Sequence, residues 1–255
     1  PGEPDVKAKK NPKDLPEIDF LVVCPNGRET LGYRGIAEQD FWEVLRVVRA
    51  NYNIDPDRIY LTGLSMGGRG TIDIVLRYPD VFAAAVPICG FYDWYLNRRE
   101  QAPETCTALE KARDHLCLAE NARHVPIRLC HGTDDPVVTV EHSRRLFQRL
   151  QELRYTAEYE EYLDVGHDAW ESAYRDRRVF DWFRQFTRRQ NPEEVVFRTT
   201  RPTGGSAYWL SVDTLVTPRT LAEINGQAGK NAITIRTENV ESLTLNPEKL
   251  PQTVS

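Results

Sequence analysis

Gly63-Leu64-Ser65-Met66-Gly67 stands between a strand-like run, residues 58–62, and a helix-like run, residues 68–78. That junction restricts the fold more than any other part of the chain. A serine at a tight strand-to-helix turn projects its hydroxyl above a sheet, and glycines two residues to either side leave room for the packing such a turn imposes. The helix that starts there also presents backbone N–H groups with no intrahelical partner, which suit a developing oxyanion. Ser65 is therefore a candidate nucleophile for acyl transfer. The alternative for so short a pattern is a plain packing turn.

A serine nucleophile needs a histidine to take its proton and an acid to orient that histidine. Pro126-Ile127-Arg128-Leu129-Cys130 reads as a short buried strand running into His131-Gly132-Thr133-Asp134-Asp135-Pro136-Val137-Val138, a polar turn with two carboxylates. An amphipathic helix over residues 140–153 follows, and then an alternating segment, 156–162, that reads as a final strand. Asp164-Val165-Gly166-His167-Asp168-Ala169-Trp170 comes directly after it, which puts His167 in a loop beyond a strand end. Of the other histidines, His115 and His124 precede the acid-bearing strand, His131 opens the acid turn, and His142 lies on a helix. His167 is thus the candidate general base, and Asp168 the candidate cap of the last helix.

With these motifs in order, the chain resembles the α/β-hydrolase superfamily, and within it the bacterial esterase and prolyl-oligopeptidase-like branch. The similarity rests on Leu61-Thr62-Gly63-Leu64-Ser65-Met66-Gly67-Gly68, on His131 to Val138, on Gly166-His167-Asp168-Ala169-Trp170, and on Asn53-Ile54-Asp55-Pro56-Asp57-Arg58-Ile59-Tyr60 before the elbow. It covers about residues 18–190. It implies a serine hydrolase with Ser65, Asp135 and His167 as triad, because the family spacing H-G-x-x-D-x-x-V selects Asp135 and leaves Asp134 as the turn residue. The Met66 N–H becomes one oxyanion donor. The second normally comes from a loop after an earlier strand, often with a His-Gly pattern, and none precedes Ile18; Gly32 or Tyr33 is the substitute. The resemblance thus implies an α/β-hydrolase sheet lacking its first strands: a fragment, a processed chain, or an unusually short core whose sheet edge is exposed or covered by the arm.

Composition agrees with a globular enzyme: 255 residues at 40% hydrophobic content can bury a sizeable core. The formal charge of −5 comes from interspersed acids and bases, so neither a nucleic-acid footprint nor a polybasic membrane patch is expected. No apolar stretch approaches the roughly 20 residues that span a bilayer. The expectation is a soluble protein, cytoplasmic or secreted, with no signal peptide visible in a chain that begins at Pro1. Five cysteines cannot all pair within one chain. Cys24, Cys89 and Cys130 fall in or beside apolar strands, whereas Cys106 and Cys117 sit in a polar stretch open to bridging.

The chain divides into a hydrolase domain, residues 1–190, and a β-rich appendage, residues 191–255. An irregular arm, 1–17, precedes an apolar run at 18–24 that reads as the first strand. The loop 25–35 beyond it borders the candidate site, and Arg28, Tyr33 and Arg34 are candidate substrate contacts. Residues 91–125 form an insertion opening Phe91-Tyr92-Asp93-Trp94-Tyr95. Tyr92, Trp94 and Tyr95 either wall a substrate pocket or bury the insertion on the core. After Asn191 the pattern becomes strand after strand, divided by Pro202-Thr203-Gly204-Gly205 and Asn225-Gly226 as turns. Tyr208 and Trp209 read as packing residues there.

The leading function is a cofactor-independent and metal-independent serine hydrolase acting on carboxylic esters. A peptidase with the same triad competes, although no gating propeller is present. A truncated hydrolase module with a binding role is the non-enzymatic reading. Small esters or peptides are the expected partners, with no nucleic acid or membrane and an undetermined oligomeric state.

Overall fold

The computed structural model describes residues 18–28, 32–92, 96, 115–201 and 205–251. Its centre is a parallel four-stranded sheet in the order β1 (Tyr60–Leu64), β2 (Ala84–Ile88), β3 (Ile127–Gly132), β4 (Ala157–Tyr162). Every residue of β2 is buried, as expected of a parallel strand covered on both faces. Alternation along the strands divides the core into two layers. Ala85, Ile127 and Leu129 point to one cluster with Phe41 of α1 (Ile36–Asn51), Ile72 of α2 (Met66–Arg77) and Leu146 of α3 (Glu141–Glu152). Ala84, Val86, Ile88 and Cys130 point to the other, with Ala173 of α4 (Trp170–Tyr174) and Val179 and Trp182 of α5 (Arg178–Phe183).

The run 18–24 is not a strand. Among the described residues it has no ladder partner, and Leu21 and Val22 are 51% and 56% exposed. An apolar run signals a need for burial but names no partner, and here Phe20 is packed against neighbouring rings. Its ring lies 5.9 Å from Tyr60 and 5.5 Å from Phe180.

One polar centre links segments distant in sequence. Asp73 of α2 is fully buried and is bonded by Arg34 at 2.6 Å and His115 at 2.9 Å, with Arg77 at 3.1 Å. Burial alone would push its carboxyl up, but the charges and hydrogen bonds of His115, Arg34 and Arg77 hold it far below the ordinary carboxylate range. Its contribution to stability is therefore complete above the unfolded value of about 4 and is lost as the pH falls through the lower folded value. Asp73→Asn is expected to lower the free energy of unfolding by about 3–5 kcal/mol at neutral pH, with the gap to wild type shrinking in strong acid. Urea melts across that pH range check this, and a gap independent of pH would contradict it.

The carboxyl-terminal residues form two antiparallel three-stranded sheets, in the orders β5-β8-β9 and β10-β7-β6. The strands are β5 (Glu194–Thr199), β6 (Ser206–Ala207), β7 (Leu210–Leu215), β8 (Ala222–Ala228), β9 (Ile233–Glu238) and β10 (Val240–Leu245). Between them lies a core of Val195, Phe197, Trp209, Leu210, Val212 and Ile224. Asn225-Gly226, read above as a turn, lies inside β8. The glycine serves a close approach rather than a reversal, because a Cβ on Gly226 would sit 2.5 Å from the Trp209 ring. Trp209 is buried and its indole N–H donates to the Pro192 carbonyl at 2.8 Å.

These strands are docked on the parallel layer. The buried Asn121, in a 3₁₀ segment (His115–His124), donates to the carbonyls of Leu76 and Arg198 at 2.6 and 2.8 Å and accepts from the Arg198 N–H at 2.6 Å. The Tyr208 hydroxyl donates to the Pro79 carbonyl at 2.9 Å.

Candidate active site

Because β1, β3 and β4 are parallel, their carboxyl ends open on the same edge of the sheet, and each is followed by one of the residues singled out above. Ser65 follows β1 as the residue preceding the first turn of α2, with φ 53° and ψ −114°. That region is sparsely populated by residues with a Cβ and costs of order 1–3 kcal/mol, so the surrounding contacts must enforce it. They do: the Ser65 N–H donates to the Ile88 carbonyl at 2.9 Å, and a Cβ on Gly63 would lie 2.6 Å from the Gly67 carbonyl carbon.

His167 bridges the other two side chains. Its Nε2 lies 2.8 Å from Ser65 Oγ, and its Nδ1 lies 2.7 Å from Asp135 Oδ2. A carboxylate can only accept, so Nδ1 carries the proton and Nε2 faces the serine as an acceptor. Asp135 Oδ1 accepts the N–H groups of Val137 and Val138, both at 2.8 Å. Burial raises its carboxyl, yet the bonds from His167, Val138 and Val137 outweigh this and hold it below the ordinary range. Asp134 is exposed, and its carboxylate accepts the Thr133 hydroxyl at 3.1 Å.

The loops carrying Asp135 and His167 are clamped together. The Asp134 N–H donates to the Val165 carbonyl at 3.0 Å and the Asp164 N–H to Thr133 Oγ1 at 3.0 Å. Gly132 permits this approach, since a Cβ there would meet the Val165 carbonyl at 2.2 Å.

Met66 opens α2, where its N–H has no intrahelical partner, and Gly32 borders it: a Cβ on Gly32 would lie 3.5 Å from Met66 Cγ. Tyr33 and Arg34 are directed away from this opening. The Tyr33 hydroxyl donates to the Pro25 carbonyl at 3.1 Å while its ring packs over Gly70, and Arg34 is committed to Asp73. Arg28 is paired with Asp40.

Tyr92 is 0% exposed within the core, with its hydroxyl accepting from the Gly90 N–H at 3.1 Å. It therefore offers no wall to a ligand and is a core residue. Trp94, Tyr95 and Cys106 lie outside the described residues. Asp168 does not cap α4 with its side chain; Ala169 holds the cap position, and Asp168 offers only its carbonyl, to the Glu171 N–H at 3.1 Å. Cys24 is exposed, whereas Cys89 and Cys130 are buried.

Sequence reasoning missed what lies beneath Asp135. The Cys89 sulfur, His131 and Asp135 bring potential metal-ligand atoms within 4.8 Å of one another. Burial pushes the Cys89 thiol up to about 12. His131 Nε2 faces the Val138 carbonyl and Asp135 is already bonded to His167, so the donor set suits a hydrogen-bonded support rather than an ion. The one local signal was His131 itself, at the start of the acid motif.

Residues 26–190 match the prolyl oligopeptidase family. An uncharacterized secreted protein of Arthroderma benhamiae is 27% identical over 210 residues, 75% of this chain and 22% of the relative. Carboxylesterase SOBER1 of Arabidopsis thaliana is 27% identical over 160 residues, 60% of this chain and 59% of the relative. The chain thus spans less than two thirds of either relative. Among solved structures, a thermostable esterase superposes with a TM-score of 0.50 at 31% identity, over 60% of this chain and 38% of the esterase. The parallel sheet and its flanking helices are the α/β-hydrolase fold. Among the described residues, no helix is long and apolar enough to cross a membrane.

Proposed function

The chain belongs to the prolyl oligopeptidase family, and from that membership we propose that it is a serine hydrolase cleaving carboxylic esters through an acyl-enzyme on Ser65. The observation that carries the reading is the hydrogen-bonded line Ser65–His167–Asp135. His167 Nε2 takes the Ser65 proton as Oγ attacks the ester carbonyl, and returns it to the departing alcohol. Asp135 fixes the ring in the tautomer that leaves Nε2 free and stabilises the imidazolium formed during attack. The Met66 N–H, at the positive end of α2, receives the oxyanion, and the backbone at Gly32 or Tyr33 is the second donor. A water activated by His167 then attacks the acyl-enzyme and frees Ser65.

Ester is preferred over peptide because carboxylesterase SOBER1 and the thermostable esterase are named for ester cleavage. The family name favours the competing peptidase reading. The purified chain, offered p-nitrophenyl esters of increasing acyl length beside aminoacyl p-nitroanilides, is expected to turn over a short or medium ester with kcat/KM at least about 100-fold above any anilide, a difference of roughly 2.7 kcal/mol in activation free energy. Anilide turnover equal to the best ester would favour the peptidase.

The division near residue 190 belongs to the same proposal. All three triad residues precede it, so deletion of residues 191–255 is expected to leave serine labelling intact. Solubility and thermal midpoint should fall, because deletion strips partners from the buried Asn121 and uncovers apolar surface. A tail-deleted protein that is folded by circular dichroism yet unlabelled would mean the appendage helps build the site.

A further inference from the structure

The buried layer under Asp135 has a defined hydrogen-bond logic. His131 is fully buried, and its Nε2 has two oxygen neighbours, the Val138 carbonyl at 2.9 Å and Asp135 Oδ2 at 3.2 Å. Both are acceptors, so the proton must sit on Nε2. Nδ1 lies 2.7 Å from Ser143 Oγ, which donates to it. Ser143, on α3, thereby fixes the tautomer. Burial opposes a second proton and lowers the ring's tendency to charge, against the pull of Val138 and Asp135. Asp135 Oδ2 thus accepts the His167 N–H and lies 3.2 Å from His131 Nε2, whose own proton points to the Val138 carbonyl, while the backbone holds Oδ1.

We propose that His131 is a positioning residue for the acid of the triad: its neutral ring, locked by Ser143, holds Asp135 Oδ2 where it meets His167 and draws off part of the carboxylate's charge. This rests on the reading of Ser65, Asp135 and His167 as a triad. Among the described residues the groups facing the pair are these. Asp135 comes from the acid loop, His167 from the loop after β4, and the protonated Cys89 from the end of β2. Glu161 of β4 also acts on the ring, but is itself ion-paired with Arg144 of α3 at 2.7 Å. Replacing the neutral His131 by a neutral side chain therefore removes the positive end of the ring N–H dipole from beside Asp135 and leaves the local charge unchanged. Without that dipole Asp135 concentrates its charge on His167, the imidazolium gains, and the serine loses its base at a higher pH.

The test compares wild type, His131→Gln and His131→Leu. Glutamine can present an amide N–H near the Nε2 position, and leucine cannot donate. Nitrogen NMR of the wild-type histidine rings is expected to find His131 neutral at neutral pH, with its proton on Nε2. Fluorophosphonate labelling of His131→Leu should be about 10-fold slower at neutral pH, with its acid limb moved up by roughly half a pH unit or more. His131→Gln should return the rate to within about threefold and most of the limb. A charged or Nδ1–H wild-type His131 would overturn the proposal, as would a folded leucine variant with the wild-type rate and limb. Should the leucine variant not fold, the wild-type tautomer and the glutamine variant decide, and failure of glutamine to hold the rate counts against the proposal. A wild-type protein that does not label at all removes the triad reading instead, and the tautomer then decides the His131 arrangement by itself.

Discussion

Ser65→Ala is expected to abolish both ester hydrolysis and covalent labelling by fluorophosphonate, a loss on the order of 10⁶ in turnover by analogy with other serine triads. The fold should survive. The side-chain hydroxyl makes its hydrogen bond to His167 at a half-buried position, and the loss of one such bond costs about 0.5–1.5 kcal/mol. The strained backbone at φ 53° is imposed by the Ile88 carbonyl and the packing of Gly63, neither of which the substitution touches. Thermal melts near wild type together with lost labelling are the expected pair. Retained labelling would move the nucleophile elsewhere.

Asp135→Asn is expected to lower turnover by roughly 10³–10⁴, and the hydrogen bonds around the carboxylate explain why. Oδ1 accepts two backbone N–H groups, so an amide there must keep its carbonyl oxygen on that side. The amide nitrogen is then driven to the Oδ2 position, where it donates to His167 Nδ1. That forces the His167 proton onto Nε2, the atom that has to receive the serine proton. The same nitrogen also takes the place of the oxygen that lies 3.2 Å from His131 Nε2. Asp134→Asn disturbs only an exposed contact with Thr133 and should change turnover by less than about threefold. If Asp134→Asn proves the harsher change, the acid has been misassigned.

What the sequence made legible was whatever was encoded locally. The serine turn, its two glycines, the preceding strand and the following helix occupy one short stretch, and the acid and histidine segments each follow an apolar or alternating run. What stayed hidden depended on partners far along the chain. Asp73 looks like any helix-borne acid until Arg34 and His115 close on it from 39 and 42 residues away. Asn225-Gly226 carries a turn signature, but the Trp209 ring lies against it and the strand continues. Residues 18–24 have the composition of a buried strand and no strand partner among the described residues. Tyr92 belongs to an aromatic run that reads equally well as a pocket wall or as core, and its burial is set by long-range packing. The role of His131 was invisible for a related reason: the serine that fixes its tautomer lies a turn and part of a helix further on.

The central claim is that the hydrogen-bonded line from Ser65 through His167 to Asp135 makes a reactive nucleophile. It is tested most directly by treating the wild-type chain with a fluorophosphonate and locating the adduct by peptide mass mapping. The account predicts a single adduct on Ser65, formed quickly by the wild-type chain, slowly by Asp135→Asn, and absent from Ser65→Ala. An unmodified Ser65 in folded wild-type protein, or an adduct on any other side chain, would contradict it.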